Sequence, residues 1–120
     1  MTIKANSREV NGVTVVEFSG SITSEEGSRV LRKTVRELSG RGSRNILLNL
    51  GEVTRVDTSG IGELVSAFTS VRSAGGELKL FNLTREVHDL LQVTKLCTVF
   101  DVQEDEASAI ASFQEKSAAL

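Results

Sequence analysis

The alternation of apolar and polar positions along the chain divides it into nine short periodic segments. Ile3 to Val10 is weakly patterned, Asn11-Gly12 is a type I′ turn signal, and Val13-Thr14-Val15-Val16-Glu17-Phe18-Ser19 follows. That combination predicts a β-hairpin. Gly20-Ser21-Ile22 leads into Thr23-Ser24-Glu25-Glu26, where Thr23 and Glu26 have capping-box spacing. Val30, Leu31, Val35 and Leu38 trace the apolar side of a first helix that Gly40 stops. Ile46-Leu47-Leu48-Asn49-Leu50 reads as a buried strand over 45–50. Ile61, Leu64, Val65, Phe68 and Val71 mark a second helix from about Ser59 to Ala74, ended by Gly75-Gly76. Leu78 to Phe81 is a fourth strand, and Val87, Leu90 and Leu91 give a third helix starting near Thr84. Val99 to Val102 is a fifth strand; Ala107, Ile110, Ala111 and Phe113 line a terminal helix, with Lys116 to Leu120 expected to fray.

After the hairpin, helices and strands alternate with short connections, which predicts parallel strands joined by right-handed crossovers. The expected architecture is one α/β domain over residues 3–116. Its mixed five-stranded sheet would begin with the hairpin, continue with parallel strands, and carry about four helices on one side. No segment has the composition of a linker, a repeat or a low-complexity tract.

Composition narrows the function classes. With 120 residues, the chain can bury about two-thirds of its unfolded surface, enough for a single core. A net charge of -2 gives no sign of nucleic acid or an anionic membrane as partner, and the absence of Trp and Tyr removes the usual stacking platforms. Apolar runs are too short to span a bilayer and no signal peptide is visible, so a cytoplasmic location is expected. Cys97 is the single cysteine and reads as a small, partly buried hydrophobe; with one His and one Cys, neither a His-based triad nor a zinc site has enough ligands. No metal or cofactor is expected. His88, beside Asp89, falls on the exposed side of its helix, and Glu104-Asp105-Glu106 suits a helix start.

The densest chemistry lies in Val53-Thr54-Arg55-Val56-Asp57-Thr58-Ser59-Gly60-Ile61-Gly62, at a strand-to-helix junction. Amides in a first helical turn lack intrahelical acceptors and the helix dipole is positive there, so an added phosphate would be well placed. Gly60-Ile61-Gly62 begins a dinucleotide fingerprint, but Val65 occupies its third glycine position; no Gly-Lys-Ser/Thr follows, and a nucleophile elbow would need glycine at Asp57. Asp, Thr and Ser are all good N-caps, so one of them at a helix start is ordinary. Capping alone leaves the cluster of three unexplained, and also the two glycines, each costing roughly 1 kcal/mol against Ala inside a helix. On the residues alone, plain capping and recognition both stand.

Asp57-Thr58-Ser59-Gly60-Ile61-Gly62 resembles the phosphorylation loop of STAS domains, in particular of bacterial anti-sigma factor antagonists. Gly20-Ser21-Ile22, Ile46 to Leu50, Gly75-Gly76-Glu77-Leu78 and Val87-His88-Asp89-Leu90-Leu91 are further points of similarity in the same order. The resemblance implies the β-β-α-β-α-β-α-β-α order over nearly the whole chain, and it implies Ser59 as phosphoacceptor. It also implies a binding module rather than an enzyme. The unphosphorylated protein would bind an anti-sigma factor that is also an ATP-dependent serine kinase, free as a monomer otherwise; phosphorylation would release it and a phosphatase reset it. Asp57 would orient the loop, Thr58 and Ile61 would be neighbouring contact or support residues, and Gly60 would permit close approach. Many relatives carry an acidic residue where this chain has Thr23, a departure that bears on phosphorylation efficiency. The alternative within the same fold is a constitutive STAS adaptor or sensor in a stress-signalling or lipid-transport assembly. A small hydrolase is disfavoured because no base for Ser59 is evident.

Overall fold

The computed structural model describes residues 3–118, with the side chains of 24, 97 and 114–118 excepted. The expectations for the Cys97 side chain and for residues 119–120 lie outside the described residues. The element order is β1 (Lys4–Val10), β2 (Val13–Ile22), α1 (Ser24–Gly40), β3 (Asn45–Val56), α2 (Thr58–Ser73), β4 (Glu77–Phe81), α3 (Arg85–Val93), a 3₁₀ turn (Leu96–Thr98), β5 (Val102–Gln103) and α4 (Glu106–Ala118). The expected single α/β domain with a mixed five-stranded sheet is what forms. Strand order follows chain order, β1-β2-β3-β4-β5, antiparallel at the hairpin and parallel thereafter. Asn11 and Gly12 take φ of 51° and 80°, the paired left-handed conformations of a type I′ turn.

Two strands run further than the apolar pattern indicated. β2 continues through Gly20-Ser21-Ile22, and β3 continues six residues past Leu50 to Val56, with Ile22 registered against Val56. The reason is visible in the register, which slips between Glu17 and Ser19 and again between Gly20 and Ser21. Each slip gives β3 an extra residue, a bulge that breaks the two-residue alternation by which a strand is recognised. At the other end of the chain, the fifth strand is shorter than expected. Leu96–Thr98 winds as a 3₁₀ turn after Lys95 enters the left-handed region (φ 61°), Phe100 is buried, and only Val102 and Gln103 pair with β4.

Alternate residues of the central strands point to opposite faces. Val16, Phe18, Ile46, Leu48, Leu78 and Leu80 face the main core with Leu31, Val35, Leu64, Val71, Val87 and Leu91 from α1, α2 and α3. Val13, Val15, Leu47 and Phe81 point the other way, where Ala109, Ile110 and Phe113 of α4 cover them. The expectation of all helices on one side therefore holds for α1 to α3 and fails for α4. Crossover handedness explains the difference: α1, α2 and α3 each link parallel strands and are forced to one face, whereas α4 follows the last strand and is not constrained. The face of α4 is also rotated from the expected one, since Ala107 and Ala111 are exposed and Ala109 is buried. Helical backbone continues through Ala118, where fraying from Lys116 was expected.

Polar contacts hold α4 in place. Lys79, 5% exposed, donates to Ser112 Oγ at 2.8 Å, lies 3.1 Å from Asp101 Oδ2 and sits over the Phe113 ring. Its aliphatic stem fills the small core while the ammonium reaches its rim. Arg8 on β1 forms a two-pronged pair with Glu106 in the first turn of α4, which holds its guanidinium pKa above the ordinary value. Asp105 accepts from Ser108 N at 2.8 Å and so caps this helix, as the acidic stretch suggested.

Candidate functional site

The Asp57–Gly62 segment sits where β3 ends and α2 begins, beside the end of β2. Asp57 is the N-cap of α2, with extended backbone, and its Oδ1 accepts from Gly60 N at 2.9 Å. The same oxygen accepts from Ser59 Oγ at 2.7 Å. One carboxylate oxygen thus satisfies an orphan amide of the helix and fixes the direction of the serine hydroxyl. Thr58 and Ser59 are the first two residues of α2, and both are exposed. The Ser59 proton is thus committed to Asp57, and the hydroxyl oxygen itself accepts a longer contact from Ser28 Oγ at 3.4 Å.

Gly60 does something other than what its place in the motif suggested. It is buried, and a Cβ built there would stand 2.2 Å from the carbonyl oxygen of Ile22 and 2.9 Å from Val56 Cγ1. The close approach it permits is therefore internal, between the top of α2 and the end of β2. Asp57 N donates to the same Ile22 carbonyl over 3.4 Å, so the cap and the glycine meet one backbone group from two sides. Ile61, 8% exposed, points into the main core and anchors the turn from beneath. Gly62 faces open space, with nothing near its hypothetical Cβ. Of the two glycines, only Gly62 bares the helix surface to another molecule.

Thr23 adjoins this junction through the chain: it follows Ile22 and is the N-cap of α1. The capping box expected with Glu26 does not form; Thr23 has the extended N-cap backbone but its side chain makes no cap hydrogen bond. Its carbonyl alone serves the helix, accepting from Gly27 N at 3.2 Å. Gly27 packs on β2, where a Cβ would lie 2.9 Å from Ser21 O, and this tight seating of the first turn decides its geometry in place of the box.

Two contacts across α1 and α2 complete the site. Ser28 Oγ donates to Ser59 Oγ at 3.4 Å. Arg32 Nε and Nη2 donate to Glu63 Oε1 and Oε2 at 3.0 and 3.4 Å, and this bonding raises the Arg32 pKa above its ordinary value. A group whose folded pKa is raised contributes until pH climbs through that value, so this pair is constant across the neutral range. Below it the two helices frame a groove of about 340 Å³ bordered by Arg36, Ser66 and Ser70. Ser28 was missed from the sequence, although its spacing to Leu31 and Val35 places it on the core side of α1. His88 is exposed, 3.8 Å from Asp89 Oδ1. Among the described residues no His, Cys, Asp or Glu cluster could hold a metal ion, and no helix is long and apolar enough to cross a membrane.

This arrangement can present a directed hydroxyl at a helix N-terminus, with Asp57 as the carboxylate that orients it. The profile of the STAS domain matches residues 4–109, and the chain belongs to the STAS domain family. It is 22% identical over 114 residues to the anti-sigma F factor antagonist of Paenibacillus polymyxa, covering 95% of this chain and 97% of that one. The crystal structure of an anti-sigma factor antagonist from Mycobacterium paratuberculosis has the same fold, with a TM-score of 0.81 at 15% identity over 92% of this chain and 93% of that one. So does the Bacillus cell fate determinant SpoIIAA in its phosphorylated form, with a TM-score of 0.69 at 17% identity over 92% and 99%.

Proposed function

We propose that this protein is an anti-sigma factor antagonist that works by partner switching from a cytoplasmic STAS domain spanning residues 3–116. Unphosphorylated, it binds an anti-sigma factor that is also a serine kinase; phosphorylation of Ser59 releases it and a phosphatase restores it. The observation that carries the reading is the exposed Ser59 hydroxyl, held by Asp57 at 2.7 Å on the first turn of α2. The named role of the Paenibacillus polymyxa relative and the phosphorylated form of SpoIIAA, a protein of the same fold, support it.

The chemistry asks little of this chain. Ser59 Oγ bonds the γ-phosphorus of ATP as the bond to the β,γ-bridging oxygen breaks, ADP leaves, and the hydroxyl proton passes to a base. The kinase supplies ATP, Mg²⁺ and that base, while Asp57 aims the nucleophile. A phosphate then adds about -1.5 to -2 charges at a surface the partner must cover. On the free helix N-terminus the charge is tolerated; in a closed interface it must be desolvated. A differential cost of about 3 kcal/mol weakens binding a little over a hundredfold. Thr58, exposed beside the acceptor, is a contact residue for the partner, whereas Gly60 and Ile61 support the loop from within the fold.

Incubation with ATP and the cognate anti-sigma kinase, followed by intact-mass and fragment mass spectrometry, tests the modification. Addition of one phosphate at Ser59 is expected, and an unmodified protein or a phosphate on Thr58 would contradict the assignment. Affinity for the kinase, measured before and after modification, tests the switch. Equal affinities would leave a constitutive adaptor.

A further inference from the structure

The two contacts between α1 and α2 are successive rungs of one ladder. Ser28 and Arg32 on α1 stand at i and i+4, and so do Ser59 and Glu63 on α2. Both helices return between parallel strands and run the same way. Helical side chains lean toward their own N-terminus, so Arg32 and Glu63 both reach back toward the upper rung, where the Ser59 hydroxyl lies. Ser28 is 6% exposed, and its 3.4 Å contact to Ser59 Oγ is long for two hydroxyls.

A phosphate on Ser59 upsets both rungs. The ester has no proton for Asp57 Oδ1, so that carboxylate keeps only the Gly60 amide of its two donors and faces the phosphate as a like charge. Glu63, one turn below, is a second carboxylate facing the phosphate at the i+4 position, where like charges repel. The cation on the adjoining rung is Arg32, whose planar guanidinium suits a phosphate as well as a carboxylate. Of the other cations on α1, Arg29 is 65% exposed and leans to Glu25 of its own helix at 3.5 Å, and Lys33 and Arg36 are exposed.

We propose that Arg32 is an internal receiver for the Ser59 phosphate, turning to it from Glu63 on modification, with the Ser28 hydroxyl as a second donor. The inference rests on phosphorylation of Ser59 as proposed above and adds what the domain does with the new charge. The Arg32–Glu63 pair stands at the head of the groove between α1 and α2. Drawing Arg32 upward frees the Glu63 carboxylate at the groove rim, so a partner resting on these helices meets a changed surface beyond the serine itself.

Phosphoserine installed at position 59 during translation needs no kinase, so the test is independent of whether the proposed kinase acts. Phosphorus NMR against pH then reads the second phosphate pKa, about 6 for an unperturbed phosphoserine. The phosphorylated wild type should titrate below Arg32→Gln, the variant being higher by about half a pH unit or more. Glu63→Gln, which leaves Arg32 without its competitor, should lower the value further, and Arg29→Gln should leave it unchanged. Arg32→Lys, which keeps the charge and most of the packing, should restore part of the wild-type value. The Arg32 Nε–H resonance should also move on phosphorylation. A phosphate pKa that is the same in the wild type and Arg32→Gln, or one that Arg29→Gln moves as far, would overturn the proposal.

Discussion

Gly60 and Gly62 lie two residues apart in the same helix, and alanine should have opposite effects at them. In an ordinary helical position, Gly→Ala gains about 1 kcal/mol through reduced chain freedom in the unfolded state. At Gly62 nothing stands near the new methyl, so most of that gain should appear, about 0.5–1 kcal/mol. At Gly60 the methyl carbon would lie 2.2 Å from the Ile22 carbonyl oxygen. That is roughly 1 Å inside an ordinary carbon–oxygen contact. Val56 Cγ1 and Ile22 Cγ2, at 2.9 and 3.1 Å, block the obvious sideways escape. The clash involves backbone, so α2 must lift from β2, stretching the Asp57 N bond to Ile22 O and drawing Ile61 out of the core. Overpacking costs about 1–3 kcal/mol, and a clash with backbone falls in the upper part of that range, about 2–3 kcal/mol, so after the propensity gain of about 1 kcal/mol a net loss of about 1–2 kcal/mol remains. Thermal denaturation followed by circular dichroism suits a chain without Trp or Tyr; each kcal/mol should move Tm by about 4 °C. A Gly60→Ala protein as stable as the wild type, or a Gly62→Ala protein destabilised equally, would refute the packing argument.

Further outcomes are expected at Ser59, at the two helix caps and at Lys79. Ser59→Ala should fold and bind the anti-sigma partner like the wild type, since Asp57 still caps through Gly60 N, whereas Ser59→Asp should bind more weakly in calorimetry, though less weakly than the phosphorylated protein. Asp57→Ala should cost about 1 kcal/mol in urea denaturation, while Thr23→Ala should cost under about 0.5 kcal/mol because no cap bond is lost; Thr23→Asp restores the acidic residue many relatives have and should change the phosphorylation rate, measured by mass spectrometry with the cognate kinase. Lys79→Ala removes the contacts to Ser112, Asp101 and Phe113 and should cost about 2 kcal/mol by thermal denaturation, with Lys79→Met losing less and partner affinity unchanged in both.

Element order, the hairpin turn and the strand-to-helix junction at Ser59 could all be read from periodicity and turn chemistry, because those signals are local. What escaped the reading was set by contacts between distant segments. The second half of β3 is a strand because β2 lies alongside it, and its two bulges scramble the alternation that would have announced it. The side chosen by α4 depends on a small second core whose members come from β2, β3 and β4. Thr23 and Glu26 have the right spacing for a capping box, yet the seating of Gly27 on β2 takes precedence. At the site, a cap at Asp57 and the place of Ser59 in the first helical turn were legible; that Gly60 seats the helix on β2 required knowing that the Ile22 carbonyl lies under it.

The chain-order sheet also carries a consequence for how the molecule comes apart. Every strand pairs with its sequence neighbour, so the sheet can assemble outward from the hairpin without waiting for the C-terminal residues. The β2–β3 seam extends from Thr14 to Ile22, whereas β5 is registered only at Leu80 with Val102 and Phe81 with Gln103. Opening should therefore begin at the β5–α4 edge and reach the β2–β3 seam last, where Ile22 and Asp57 meet. Hydrogen exchange would show this as early labelling of residues 102–112 and late labelling of 14–22 and 46–56. Ser59 is then anchored in the last part of the domain to unfold, and a protease that nicks the far edge would leave its setting intact.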